Sequence, residues 1–161
     1  MTAESDILLI FCGIVAGQFL LLVLHEFGHV VPILVTGGTA HITIGSRNGQ
    51  TVRLGPLRFT IGFDTVLSLF TYGTVEWTGV ESKRIHAVAI LAGPFTSLTV
   101  VLIVGAGLLR GVEPPVYWIF INLALLEIWR LYQTLVPKTY SRGPYEGVPS
   151  DGQRFLQLIR S

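Results

Sequence analysis

Ile7-Leu-Leu-Ile-Phe-Cys-Gly-Ile-Val-Ala-Gly-Gln-Phe-Leu-Leu-Leu-Val-Leu24 runs without a break into His25-Glu26-Phe27-Gly28-His29. The first 18 of those residues carry no formal charge and are interrupted only by Gln18, and the apolar character continues to about Val35. A run of that length and composition is read as a helix that crosses a membrane. A second such stretch extends from about His86 to Leu109, 24 residues without a carboxylate, Lys or Arg. At ~1.5 Å per residue it covers roughly 36 Å, enough to cross a ~30 Å hydrocarbon core with some tilt. A third, from about Pro115 to Val136, carries Glu127 and Arg130. The expected fold is an α-helical membrane protein, with three transmembrane helices over residues 7–35, 86–109 and 115–136 of a single domain spanning 1–161.

Composition supports that class and excludes others. Charged residues are 13% of the chain, against about 25% in soluble domains. A soluble globule and a disordered chain are both poor fits. A net charge of +1 gives no electrostatic basis for binding nucleic acid. The single cysteine, Cys12, lies in the first apolar run, so a disulfide framework is excluded. The leader contains Glu4 and Asp6 but no Lys or Arg, and no small-x-small site follows a short apolar core. This is not the pattern of a cleavable signal peptide.

Basic residues set the expected orientation. Arg47, Arg53, Arg58, Lys83 and Arg84 lie between the first two runs, and Lys138, Arg142, Arg154 and Arg160 follow the third. The leader has none, and the link between the second and third runs has only Arg110. By the positive-inside rule the amino terminus faces outward, and the long loop and carboxyl terminus are cytoplasmic. The expected setting is a multi-pass protein of a prokaryotic plasma membrane, with the lipid bilayer as a partner. Tyr117 with Trp118, and Trp129 with Tyr132, suit either interfacial anchors or packing between helices. Nothing in the chain sets an oligomeric state.

The β-rich loop, about residues 39–80, reads as a small sheet at the cytoplasmic membrane surface. His41–Gly45, a turn at Asn48-Gly49, and Gln50–Leu54 read as strand, turn and strand. Leu57–Ile61 offers a third short strand after Gly55-Pro56. Gly13-x-x-x-Gly17 suits close helix packing, with the second run as the expected partner.

The chemistry lies in His25-Glu26-Phe27-Gly28-His29. Histidines at i and i+4 differ by about 40° around a helix, so both imidazoles can face one metal ion. Glu26, rotated about 100° from His25, stands beside the metal without ligating it. A zinc ion there would lower the pKa of its water towards ~7 and polarise a carbonyl, while the glutamate takes the proton. At this chain's own His and Glu frequencies in 161 residues, the pattern arises by chance in roughly 0.4% of cases. Three titratable groups inside a membrane helix cost several kcal/mol unless they find partners or ligate something.

A catalytic zinc needs a third protein ligand and one open position. The candidates are His41, His86, Asp64, Asp151 and the glutamates. Glu76, Glu81, Glu113 and Glu146 read as solvated, and Glu127 has Arg130 as its i+3 neighbour. Depth favours the cytoplasmic side, where Pro149-Ser150-Asp151-Gly152 precedes a short amphipathic stretch, Gln153–Ile159. By spacing alone, that segment serves a helix cap and a metal ligand equally well.

His25-Glu26-x-Gly28-His29 in a membrane helix, Ala92-Gly93-Pro94 early in the next, and Asp151-Gly152 after the third run resemble the site-2 protease family of intramembrane zinc metalloproteases. The likeness follows the whole chain in order. It implies His25, His29 and Asp151 as ligands of one zinc ion, Glu26 as general base, and a transmembrane-helix protein as substrate. It also implies a minimal three-helix catalytic core without a PDZ-type domain. The chain departs from the family at Ser97 and Thr134, where Asn is common, and in the 13 residues from Lys138 to Ser150. The competing expectation is a proteolytically silent relative that acts as a metal-binding membrane scaffold.

Overall fold

The computed structural model describes residues 3–46, 48–63, 73–142 and 145–161; Arg47 and Asp64, named above, lie outside them. α1 covers Ala3–Val35 as one helix of 33 residues, with Glu4 and Asp6 in its first turn, where acids complement the helix dipole. It stops in a Schellman motif: Gly37, at φ 84°, donates to the Leu34 carbonyl, and Gly38 donates to that of Ile33.

The chain then forms β1 (Thr39–Gly45), β2 (Gln50–Leu54), β3 (Leu57–Gly62) and β4 (Gly73–Thr78), in the spatial order β2-β3-β1-β4. Helices α2 (Lys83–Leu109), α3 (Val116–Leu135) and α4 (Asp151–Arg160) follow. β1 pairs with β3 in parallel, and the other two pairings are antiparallel.

Two expectations are corrected here. Among the described residues, the three-helix membrane fold is replaced by four helices and a mixed four-stranded sheet. Among the described helices only α1, over Glu4–Val35, and α2 are long and apolar enough to cross a membrane. The run 115–136 does form a helix, but Asn122, Glu127, Arg130 and Gln133 make α3 too polar for a span. The hairpin expected at Asn48-Gly49 is also absent, because β3 lies between β1 and β2. β1 is buried at five of its seven positions and needs a neighbour on each side, whereas β2 is exposed throughout and forms an edge. The hairpin joins β2 to β3 instead, through Gly55 at φ 59° followed by Pro56.

Alternation along the strands gives the sheet one apolar face. Ala40, Ile42, Ile44, Leu57 and Val75 pack there with Leu22 and Val30 of α1. The helices approach one another through glycines. Gly28 of α1 meets α2 so closely that a Cβ would stand 2.7 Å from the Ala92 carbonyl oxygen and 2.9 Å from Gly93 Cα. The Gly13 and Gly17 pair, expected against the second run, faces α3 instead: Ile119 covers Gly13 and Leu123 covers Gly17. α3 therefore runs parallel to α1, with α2 antiparallel to both.

Gly28→Ala forces α1 and α2 apart at backbone atoms and is expected to cost about 1–3 kcal/mol. Gly105→Ala enters open space and should be neutral or stabilise by up to ~1 kcal/mol through helix propensity. Thermal unfolding of both variants in detergent measures the contrast.

Candidate metal centre

α1 places His25 and His29 one turn apart with their Nε2 atoms 3.3 Å from each other. Asp151, the first residue of α4, brings Oδ2 to 3.6 Å from His25 Nε2 and 3.5 Å from His29 Nε2. All three residues are buried, and they form a group able to hold a metal ion.

α2 orients the two rings. His29 Nδ1 is 2.7 Å from the Ala89 carbonyl oxygen; a carbonyl only accepts, so Nδ1 carries the proton and neutral His29 presents a lone pair at Nε2. His25 Nδ1 is 2.8 Å from Ser97 Oγ, which leaves its Nε2 facing the same point. Gly93 makes room for this arrangement, because any Cβ there would overlap the His29 ring.

The donor set fits a metal in number, chemistry and spacing. Two imidazole nitrogens and a carboxylate oxygen are typical zinc ligands, and bonds of ~2.0–2.1 Å imply tetrahedral edges of roughly 3.3–3.4 Å. The observed triangle of 3.3, 3.5 and 3.6 Å matches one face of such a tetrahedron. Burial opposes ionisation of Asp151, but the charge that His29 carries when protonated, with hydrogen bonds from both rings, outweighs it and holds the carboxyl well below its usual range.

Ser150 separates the two roles that spacing left open for the Pro149–Gly152 segment. It is the N-cap of α4: its Oγ accepts from the Gln153 N–H at 3.2 Å and donates to the Val136 carbonyl at 2.8 Å. Asp151 is thereby left to face the histidines. Gly152 seats the start of α4 against the end of α3, where a Cβ would collide with the Leu135 carbonyl.

Glu26 is 5% exposed and packs on Gly73 of β4, where an added Cβ would stand 2.5 Å from Glu26 Oε1. Glu26, the two histidines and Asp151 all line a cavity of about 630 Å³. Tyr145 closes part of it. Its hydroxyl donates to the Gly73 carbonyl at 2.8 Å and accepts from the Gly73 N–H at 2.6 Å. Burial, and then the nearby Glu26 carboxyl, push this phenol well above its ordinary range, so it stays a donor.

The other sequence candidates stand elsewhere. His41 bonds Thr60, His86 bonds the Val80 carbonyl, and Glu127 pairs with Arg130 at 2.7 Å. Glu81, Glu113 and Glu146 are exposed; Glu76 is exposed too, at the rim of the cavity. Trp118, Trp129 and Tyr132 are exposed, and Trp129 also lines the cavity.

Sequence reasoning missed Ser97 as a ring-orienting group, along with Ala89, Gly73 and Tyr145. Antiparallel packing of α1 on α2 at Gly28 and Gly93 points to the first two, since residues before Gly28 on α1 meet residues after Gly93 on α2, and residues after Gly28 meet residues before Gly93. No local pattern marks Tyr145, whose position depends on the course of the 136–150 connection. Comparison of the chain with protein-family models, curated proteins and solved structures finds no match.

Ser97→Ala removes the partner of His25 Nδ1 and is expected to weaken metal binding about 10- to 100-fold, read by competition with a zinc chelator. His41→Ala should leave metal binding unchanged. Tyr145→Phe strands the Gly73 N–H and C=O, and is expected to cost about 1–3 kcal/mol and to raise amide exchange at Gly73.

Proposed function

We propose that the chain is an intramembrane zinc metalloprotease that hydrolyses a peptide bond within or near a transmembrane segment of another protein. The observation that carries this reading is the convergence of His25, His29 and Asp151, from opposite ends of the sequence, beside the buried Glu26 carboxylate. Ala92-Gly93-Pro94 and Asp151-Gly152 lend support through their likeness to the site-2 protease family.

The membrane setting rests on α1 and α2. Ile7, Leu8, Phe11 and Leu20 of α1, and Phe95, Leu102, Ile103 and Leu109 of α2, are exposed, which suits lipid rather than water around them. Both helices would cross the bilayer, with the amino terminus outside and the basic loop between them in the cytoplasm.

Zinc, when bound, supplies Lewis acidity to water and to the scissile carbonyl. His25, His29 and Asp151 hold it, and Ser97 and the Ala89 carbonyl keep both rings in the ligating orientation. Glu26 accepts the proton that water gives up on attack and returns it to the leaving amine. An incoming strand would pair along β4, because among the described strands β1 and β3 are internal and β2 does not line the cavity. Such a strand must displace the Tyr145 hydroxyl from Gly73.

Zinc content and cleavage of a transmembrane peptide test the reading. Glu26→Gln is expected to keep zinc and lose cleavage by at least about 100-fold. Asp151→Ala should lose both. Full activity in Glu26→Gln would overturn the assignment, and metal retention in Asp151→Ala would remove Asp151 from the ligand set.

A further inference from the structure

Seven residues before His25, on the same face of α1, Gln18 faces α3. Arg130 donates through one terminal nitrogen to Gln18 Oε1 at 3.2 Å and through the other to Glu127 Oε2 at 2.7 Å. Arginine can only donate, so this contact fixes the Gln18 amide with its oxygen towards Arg130 and its NH2 group away. That nitrogen is buried and has no partner among the described residues. Arg130 commits two of its five N–H donors in these bonds. Gln18 and Arg130 both line the cavity that holds Glu26 and the metal ligands, whereas Glu127 is 1% exposed and does not reach it.

This stretch of wall therefore offers donors, its one engaged acceptor being already taken by Arg130. Its charge is balanced by Glu127 from behind, so it suits a neutral acceptor better than a carboxylate. A substrate helix that unwinds in hydrocarbon releases main-chain carbonyls from their helix bonds, and each left unpaired costs several kcal/mol. At 1.5 Å per residue, Gln18 lies about 10.5 Å along α1 from His25. An extended chain covers that distance in about three residues.

We propose that Gln18 and Arg130 form a carbonyl-binding subsite for the unwound main chain of a transmembrane substrate, about three residues from the scissile bond towards the amino-terminal end of α1. The proposal rests on the protease reading and names what that reading needs, a means of stabilising the substrate once its helix has opened.

The test measures binding without cleavage. The full chain carrying Glu26→Gln is placed in detergent micelles, with zinc content and thermal unfolding checked. A fluorescent Leu/Ala transmembrane peptide of about 20 residues with a central Gly-Pro is titrated by anisotropy. Gln18→Leu, which removes the donor, is expected to weaken peptide binding about tenfold with zinc content unchanged. Gln18→Glu keeps the oxygen that Arg130 requires and removes the amide donor, so it separates loss of the subsite from loss of the helix contact. It should lose binding to a similar extent. Binding within twofold of the parent in both variants would overturn the subsite and leave Gln18 a site for water only. Because binding is read apart from hydrolysis, failure of the wild-type chain to cut the peptide would overturn the protease reading alone.

Discussion

Two imidazoles and a carboxylate face one point at the end of a helix apolar enough to cross a membrane, and every other feature of the molecule is arranged around that cost. Such groups are expensive in an apolar setting unless they pair or ligate, and here they are drawn together from residues 25, 29 and 151. The close α1–α2 contact at Gly28 and Gly93 brings Ser97 and the Ala89 carbonyl to the outer ring nitrogens. With those nitrogens engaged, the inner ones are left to meet Asp151. α4 contributes almost nothing to the apolar core; its start, capped by Ser150, delivers a single carboxylate.

The sheet and α3 complete the enclosure in different ways. The apolar face of the sheet packs on α1, and β4 carries Gly73 to the Glu26 carboxyl, where the absence of a side chain permits contact. α3 lies parallel to α1 and supplies Arg130, which bridges Gln18 and Glu127. One cavity thus holds the His25, His29 and Asp151 cluster at one end and Gln18 with Arg130 at the other, joined along one face of α1 through Leu22.

Much of this was legible in the residues, and the misreadings share a cause. α1, α2 and the His25–His29 motif could be read because their signals are local: apolar length and helical spacing. Asp151 could be nominated but not separated from a cap, because the serine that caps is its immediate neighbour. The third apolar run was overread because apolar length alone hid how far Asn122, Glu127, Arg130 and Gln133 lower its hydropathy. Asn48-Gly49 suggested a hairpin through turn preference, yet burial of β1 required a strand on either side. Ser97, read as a departure from a family pattern, holds a histidine ring, a role set by the packing of two helices far apart in sequence.

The central claim is that His25, His29 and Asp151 hold a zinc ion in a site completed by contacts between α1, α2 and α4. X-ray absorption at the zinc edge of the purified chain tests it most directly. The account expects about one zinc per chain, with two imidazole shells and a light oxygen neighbour at ~2.0–2.1 Å. Zinc bound without imidazole ligation, or a chain purified in zinc-containing buffer that retains none, would contradict it.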